Sequence, residues 1–291
     1  MPVPAYPLSN ALSKAVRALR RGRLHRLVGR LRAFGALVAL WRGLLDRAAK
    51  PPSPGVGDCA TLFPGLSPPA AVQALRVDGL WLALRLPAAI VTEIADYARC
   101  TPCHLPRDDR ESFLVGEVRN GRTPDGRPAP IAEVDLRHPC PAIAAIAADP
   151  RLREIARRYL GFSPRRIERR LYWSPVADLP DHDRRAGGQT VDFHFDVEVS
   201  RALYVFFYIV GGDRQSGCHV AVAGSHRRKP LRLALAPAFQ TDAAVFACFD
   251  RTRETIVEGG AGFGFLEDPA CYHKVLPPKH GPRLLLQLRM F

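Results

Sequence analysis

A series of short apolar runs separated by turn residues begins after Arg170 and constrains the fold more than any other feature. The longest run, 202–210, contains nine apolar and aromatic residues, so we expect a strand buried on both faces. Helical patterns dominate before residue 161. Helices followed by many strands predict a mainly β fold, an antiparallel barrel or sandwich with helical buttresses. The predicted strands are 171–174, 191–199, 202–210, 218–223, 262–266, 272–276 and 284–290.

The segment before Arg170 predicts a mixture of helices, one strand and a long loop. Hydrophobic spacing indicates helices at 70–76, from Pro87 through Tyr97, at 143–147 and at 151–159, the last ended by Gly161. A strand at 80–84 follows the turn at Asp78-Gly79. Residues 104–130 are polar and rich in Arg, Gly, Pro and Asp, which is typical of a loop. Residues 229–258 show no pattern that predicts an element.

The basic character of the chain belongs to its N-terminal part. The whole chain of 291 residues carries +14, and residues 1–50 alone carry nine Arg and two Lys against Asp46. Apolar residues recur at helical spacing through 10–48, which predicts a basic amphipathic helix. This helix either packs on the main domain or lies on an anionic membrane surface. Nucleic acid is disfavoured because few aromatic residues interleave with the charges.

A Pro-rich and Gly-rich stretch at 51–69 marks the expected domain boundary. We therefore expect a helical extension and linker at 1–55 and one domain at 56–291. No apolar run approaches the roughly 18–20 residues that span a bilayer, and no signal peptide is visible. Seven Cys without such a signal indicate reduced thiols and a cytoplasmic protein, peripheral at the membrane if the basic helix binds there. The same reasoning treats Cys100-Thr101-Pro102-Cys103-His104 as thiols at a helix end rather than a haem-attachment site.

The predicted strand 191–199 alternates strictly between apolar and polar side chains. Asp192, His194, Asp196 and Glu198 share one face, because successive strand residues point to opposite faces. His194 and Asp196 therefore lie side by side and could share a metal ion. The alternative is a half-buried strand whose polar face contacts water.

The C-terminal strands favour the metal site. His273 lies in the short strand 272–276, and Arg283 lies on the polar face of the last strand. Two histidines and one carboxylate form the facial triad of non-haem iron(II) oxygenases, which leaves three coordination positions open. Arg283 could bind a carboxylate in bidentate fashion.

The ordered set His194-Phe195-Asp196, His273 and Arg283 resembles the H-x-D…H…R pattern of Fe(II)/2-oxoglutarate dioxygenases. The surrounding sequence is most similar to the phytanoyl-CoA dioxygenase (PhyH-like) branch. The similar segments are QTVDFHFD at 189–196, Gly224-Ser225-His226, and GGAGFGFLE at 259–267. The resemblance covers roughly residues 70–291.

The resemblance implies a double-stranded β-helix, also called a jelly roll and cupin-like. His194, Asp196 and His273 would be the catalytic metal ligands and hold Fe(II). 2-Oxoglutarate would chelate the iron and place its far carboxylate on Arg283, with Tyr172 and Gln189 also in the cofactor site. Dioxygen and a small molecule would react to give succinate, CO2 and a hydroxylated product.

The sequence departs from the family pattern in one spacing, and one of its residues narrows the expected reaction. The spacing from His273 to Arg283 is one residue shorter than this branch suggests, so Arg289 is an alternative carboxylate ligand. Asp196 argues against halogenation, because related halogenases carry a small residue in place of this carboxylate.

Other readings stay open. A cupin-type metalloenzyme that does not use 2-oxoglutarate has the same fold, and an inert jelly-roll binding domain tethered by the basic helix is a third possibility. Among other polar residues, His219 could approach the site from a neighbouring strand, and Arg169 or Arg170 could bind an anionic substrate. We expect His226 to be structural.

Overall fold

The computed structural model describes residues 61–196, 201–227, 229–230, 232–233 and 236–291, together with Leu40, Gly43 and Leu44. The predicted extension at 1–55 lies outside the described residues, except that Leu40, Gly43 and Leu44 are helical. The side chains of Leu40 and Leu44 are exposed. Within the described residues, no helix combines the length and the apolar character that crossing a bilayer would require.

The described residues form two antiparallel sheets. The larger has the order β1-β9-β6-β11-β5-β4-β2-β3, and the smaller has the order β10-β7-β8. The strands are β1 Leu80–Arg85, β2 Cys103–Leu105, β3 Asp108–Phe113, β4 Ala132–Val134, β5 Ile167–Ser174, β6 Leu203–Val210, β7 His219–Val222, β8 Glu254–Val257, β9 Phe263–Glu267, β10 His273–Val275 and β11 Arg283–Met290.

Helices cover the outer face of the large sheet. They are α1 Pro68–Val77, α2 Ala88–Cys100, α3 Pro141–Ala148 and α4 Pro150–Leu160. Two shorter helices, α5 Asp181–Ala186 and α6 Asp242–Phe246, are not part of this layer, and Val245 of α6 packs with Val220 and Val222 of the small sheet. The Asp149 side chain accepts hydrogen bonds from the first backbone N–H groups of α4, and Gly161 ends this helix at φ 87°. Apolar side chains of α1, α2, α3 and α4 belong to one buried cluster with the outward residues of β6 and β11. The helices therefore act as the predicted buttresses.

Alternation along the central strands separates this apolar outer layer from the interior. On β6, Leu203, Val205 and Phe207 pack towards the helices, whereas Tyr204, Phe206 and Tyr208 belong to a second cluster inside the sandwich. The strand is buried on both faces, as predicted for 202–210. On β11, Leu284, Leu286 and Leu288 join the outer cluster and Leu285 joins the inner one. The same alternation turns Arg283, Gln287 and Arg289 inward.

Tyr208 links the two sheets across the interior. Its hydroxyl donates to Val257 O at 2.9 Å and accepts from His219 N at 2.8 Å. Both partners belong to the small sheet. A polar group that is fully buried needs such partners, so this pair of hydrogen bonds fixes the separation of the sheets beside the site.

The mainly β architecture with helical buttresses is confirmed, but two predicted elements are wrong in detail. The loop predicted at 104–130 contains most of β2, all of β3 and a short 3₁₀ helix at Val115–Glu117. Polar composition misled the prediction because β3 lies at the edge of the sheet, where side chains face water.

The predicted strand 191–199 is not continuous in its described part. Phe193 and His194 form isolated bridges with Gln240 and His273, and Asp196 N donates to Pro269 O. Three different segments thus supply the hydrogen-bonding partners, so no regular ladder forms. Residues 197–200, which include Glu198, lie outside the described residues.

Candidate metal centre

His194 and His273 are held side by side by their own backbones. His194 N donates to His273 O at 2.9 Å, and His273 N donates to His194 O at 2.8 Å. Residues that exchange both hydrogen bonds stand directly opposite each other, so their side chains leave on the same face. The two imidazole centroids are 4.2 Å apart.

Asp196 completes a group of three potential ligands. One ligand atom each from His194, Asp196 and His273 lies within 4.8 Å of the others. The distance between His194 Nε2 and Asp196 Oδ1 is 3.9 Å. His194 Nδ1 faces Asp192 O at 3.3 Å and His273 Nδ1 faces Cys271 O at 3.0 Å. With each Nδ1 directed at a carbonyl, each Nε2 is left with a lone pair for a metal ion.

Burial keeps these histidines in the neutral form that binds metals. It lowers the pKa of His273 to about 4, an effect that Glu267 and Asp196 only partly offset. Burial also lowers the pKa of His194. Burial raises the pKa of Asp196, but His273, His194, Arg289 and a hydrogen bond with Tyr204 together outweigh it, and its pKa lies below its usual range. The group therefore offers two neutral nitrogens and one carboxylate at neutral pH.

Glu267 forms a buried layer behind the ligands that sequence reasoning missed. Its carboxylate is fully buried, with Oε1 at 3.5 Å from His273 Nδ1 and Oε2 at 3.1 Å from His219 Nε2. Burial raises the pKa of Glu267 to about 8 and lowers that of His219 to about 3. The signal was present in GGAGFGFLE, where Glu267 continues the inward face of Phe263 and Phe265.

His219 does approach the site from a neighbouring strand. It stacks on His273 with ring centroids 5.3 Å apart. Its Nε2 lies 3.1 Å from Glu267 Oε2, and His219 is not part of the three-ligand group.

Arg283 is a buried cation with spare hydrogen-bonding capacity. The residue is 1% exposed, and its Nη2 donates to Ser174 Oγ at 3.2 Å. No group among the described residues accepts from Nε or Nη1. A guanidinium taken out of water without an anion is costly. The donor set therefore fits a carboxylate that is supplied by a ligand.

Tyr172 lies on the same inward face as Arg283, whereas Gln189 has protein partners. Tyr172 stands opposite Leu285 on β11 and next but one to Ser174 on β5. The Gln189 carbonyl accepts from Arg184 Nη1 at 2.9 Å, and its amide donates to Pro130 O at 3.4 Å. These contacts favour a role for Gln189 in shaping the loop that leads to His194.

Arg289 also points inward, at the opposite end of β11 from Arg283. Its Nε donates to Gln287 Oε1 at 3.1 Å, and its guanidinium lies 5.1 Å from the ring centre of Tyr204. Both Arg289 and Tyr204 lower the pKa of Asp196, after the two histidines. Arg289 is therefore near the three-ligand group on a side different from Arg283.

Several remaining candidates lie away from this group. Asp192 pairs with Arg185 at 2.5 Å, and only its backbone carbonyl contacts His194. His226 Nδ1 lies 3.5 Å from Cys271 Sγ, and Ser225 Oγ accepts from Tyr272 N, so the Gly-Ser-His turn supports the segment before His273. Cys100 is exposed at the end of α2 and Cys103 is buried in β2, both as free thiols.

Comparisons with known proteins identify the fold. No family model and no curated protein matches the sequence. The non-heme alpha-ketoglutarate-dependent epimerase SnoN from nogalamycin biosynthesis superposes with a TM-score of 0.53 at 16% identity, over 77% of this chain and 82% of that chain. EctD from S. alaskensis, in its apoform, gives a TM-score of 0.51 at 16% identity, over 77% of this chain and 76% of that chain.

The fold is the double-stranded β-helix. This confirms the predicted jelly-roll architecture for the described part of the chain. At 16% identity the likeness concerns the fold, so the PhyH-like branch stays a prediction.

Proposed function

We propose that this chain is a non-haem Fe(II)/2-oxoglutarate-dependent oxygenase that hydroxylates a small molecule and belongs to the PhyH-like branch. One arrangement carries the proposal. Two buried, neutral histidines and one half-buried carboxylate lie in the same interior as a buried guanidinium with two unpaired nitrogens.

The residues fit an iron(II) ion. His194, His273 and Asp196 are the ligand types of the facial triad, and their donor atoms are close enough to share one ion. Asp192 O and Cys271 O orient the two imidazole rings before any metal binds. Such outer contacts fix the tautomer and raise the basicity of the metal-binding nitrogen.

The residues also fit 2-oxoglutarate. Arg283 would bind the carboxylate farther from the metal through Nε and Nη1, while Ser174 holds Nη2 in place. Tyr172 lies on the same face and would line the cofactor site. Neutralisation of a buried cation by the ligand explains how Arg283 can be stable at this position.

Iron with 2-oxoglutarate and dioxygen supplies, when bound, an oxidative decarboxylation that releases succinate and CO2 and oxidises a substrate C–H bond. The chain contributes positioning and exclusion of water. Phe206, Tyr208 and Phe265 form a fully or nearly fully buried aromatic wall beside His219 and Glu267. Apolar walls protect a reactive site from solvent and strengthen the electrostatic contacts within it. The Asp196 carboxylate favours hydroxylation over halogenation.

Anaerobic absorption spectroscopy tests the proposal. The purified apoprotein is titrated with Fe(II) and then with 2-oxoglutarate. We expect a weak visible charge-transfer band that Asp196→Ala removes and that Asp192→Asn, a change in the exposed pair with Arg185, preserves. Succinate release under air then provides the assay for a substrate screen.

The other outcomes select the remaining readings. Metal binding without the band on addition of 2-oxoglutarate would favour the cupin-type metalloenzyme. Failure to bind metal would overturn the enzyme assignment and leave a binding domain attached to its membrane by residues 10–48. We also propose that the substrate is a small molecule and that the protein is cytoplasmic. In this proposal residues 10–48 contact a membrane surface.

A further inference from the structure

The inward face of β11 carries a cation at each end. Arg283 begins the strand and Arg289 lies near its end, and both turn towards the interior with Leu285 and Gln287 between them. At a rise of about 3.4 Å per residue, their Cα atoms are about 20 Å apart. A single small ligand such as 2-oxoglutarate cannot occupy both ends.

Within the part of the chain that the structure describes, Arg289 forms no close ion pair with a carboxylate. Its Nε donates to Gln287 Oε1 at 3.1 Å and its guanidinium lies over the Tyr204 ring. Among the described residues, no carboxylate comes within 4.0 Å of its nitrogens, and none accepts from Nη1 or Nη2. The buried Arg184 differs in this respect, because its three nitrogens donate to Leu179 O, Gln189 Oε1 and Ala177 O.

A second cation meets Arg289 at the same amide oxygen. Arg170 Nη1 donates to Gln287 Oε1 at 3.3 Å, and Arg170 also pairs with Glu133. Gln287 thus contacts two guanidinium groups, and among the described residues only that of Arg170 forms a close ion pair with a carboxylate. The Gln287 carbonyl is the acceptor that holds both cations, so their remaining donors are arranged in advance of a ligand.

This cationic group lies on the metal side of the interior. Tyr204 of β6 stands opposite Arg289 on one side and opposite Glu267 on the other, and Glu267 Oε1 lies 3.5 Å from His273 Nδ1. The charge of Asp196 contributes to raising the pKa of Arg170. The charge of Arg283 instead adds to burial in lowering the pKa of His219, which stacks on His273. The two cationic ends therefore flank the three-ligand group from different directions.

We propose that Arg289, with Arg170 and Gln287, binds a carboxylate or phosphate group of the substrate on the side of the metal site away from Arg283. The inference rests on the proposed oxygenase function and names its substrate class, a small anionic molecule. Arginine presents paired donors that match the oxygens of both anions, and a half-buried cation without a partner gains most from such an ion. Arg289 is thus a specificity-determining residue.

Isothermal titration calorimetry at constant ionic strength tests the inference with two probes, inorganic phosphate and acetate. The full-length protein is loaded with Co(II) and saturated with 2-oxoglutarate, so that Arg283 is occupied. We expect one probe to bind the wild type and Arg289→Gln to weaken that binding at least about tenfold. The probe that binds better distinguishes a phosphate-bearing substrate from a carboxylate-bearing one.

Arg169→Gln is the matched control. Arg169 neighbours Arg170 on β5, but its side chain is exposed, so the variant removes the same charge from the other face. Probe binding should be unchanged in this variant and partly retained in Arg289→Lys. Absence of binding by either probe to the wild type, or equal weakening by Arg169→Gln, would overturn the inference.

The dissociation constant of 2-oxoglutarate separates this inference from the proposed function. It should be unchanged in Arg289→Gln, which also shows that the variant folds. If Arg289→Gln weakens 2-oxoglutarate and Arg283→Gln does not, the cationic group belongs to the cofactor and the inference fails. If no variant or wild type binds 2-oxoglutarate but probe binding still depends on Arg289, the oxygenase assignment fails and the anion site stands.

Discussion

His194 and His273, far apart in the chain, exchange both backbone hydrogen bonds and stand directly opposite each other. The pairing brings their imidazole centroids to 4.2 Å. Because Asp196 is fixed separately through its backbone to Pro269, the three ligands are arranged by main-chain contacts rather than by their side chains. Backbone contacts therefore fix the positions of the three candidate ligands, which would limit the ordering cost of binding a metal ion.

Loss of one ligand should remove the metal site and preserve the fold. Asp196→Ala takes away the only carboxylate of the group, so we expect loss of the charge-transfer band and of succinate formation. Circular dichroism should stay that of the wild type, since the backbone contact of Asp196 does not need its side chain. Full turnover in this variant would refute the ligand assignment.

Removal of the Arg283 side chain should weaken the binding of 2-oxoglutarate and leave metal binding unchanged. Arg283→Gln deletes the buried donors Nε and Nη1, and losing one side of a buried charge pair costs roughly 2–5 kcal/mol, so we expect the dissociation constant to rise about 100-fold. Metal affinity in the absence of 2-oxoglutarate should not change. Equilibrium titration followed by the charge-transfer band measures both, and a larger effect from Arg289→Gln would show that Arg289 is the carboxylate ligand.

Glu267 should position His273 for the metal. Glu267→Ala removes the oxygen that lies 3.5 Å from His273 Nδ1, and loss of such an outer contact typically lowers metal affinity about 10–100-fold. Glu267→Gln retains a carbonyl oxygen and should restore most of the affinity. Co(II) binding followed by its visible absorption is the measurement.

The control for Glu267 is Glu258→Ala, which removes an exposed carboxylate paired with Arg214. Its Co(II) affinity should equal that of the wild type. Equal affinity in Glu267→Ala would show that Cys271 O alone orients His273.

Metal binding should resist mild acid. Burial lowers the pKa of His273 to about 4, so its imidazole stays neutral at pH 6, and burial also lowers the pKa of His194 below the ordinary value. An ordinary histidine with a pKa of about 6.5 would by then be mostly protonated and unable to bind metal. We expect the loss of Co(II) affinity on acidification to begin below pH 6.5, and the part that depends on His273 to be lost as the pH approaches 4. A tenfold loss per pH unit that begins near 6.5 would contradict the burial argument.

Tyr208→Phe should lower the stability of the fold. The hydroxyl joins Val257 O and His219 N across the two sheets, and its loss leaves two buried backbone groups without a partner, at about 1–3 kcal/mol each. Urea unfolding should therefore show a decrease of about 2–4 kcal/mol in the free energy of unfolding. Tyr97→Phe, whose hydroxyl donates to carbonyls at the surface, should cost less because water replaces it.

Periodicity predicted most of the scaffold, because burial imposes a strong pattern on long elements. The helix predicted at 151–159 is α4, and the strand predicted at 202–210 is β6. The pattern failed where burial was incomplete or where partners changed. The edge strand β3 was hidden in polar sequence, and 191–196 takes its hydrogen bonds from three segments.

The sequence by itself determined the candidate residues and their order, since His194, Asp196, His273 and Arg283 were selected from residue chemistry, alternation and the family resemblance. Only the tertiary structure decided which residues lie next to them. Glu267 and His219 come to lie behind His273, Ser174 beside Arg283, and Arg170 beside Arg289, all through strand pairings between distant segments. The reason is physical. Alternation along one strand fixes which face a side chain takes, whereas register between strands fixes its neighbours, and register depends on the whole packed sheet.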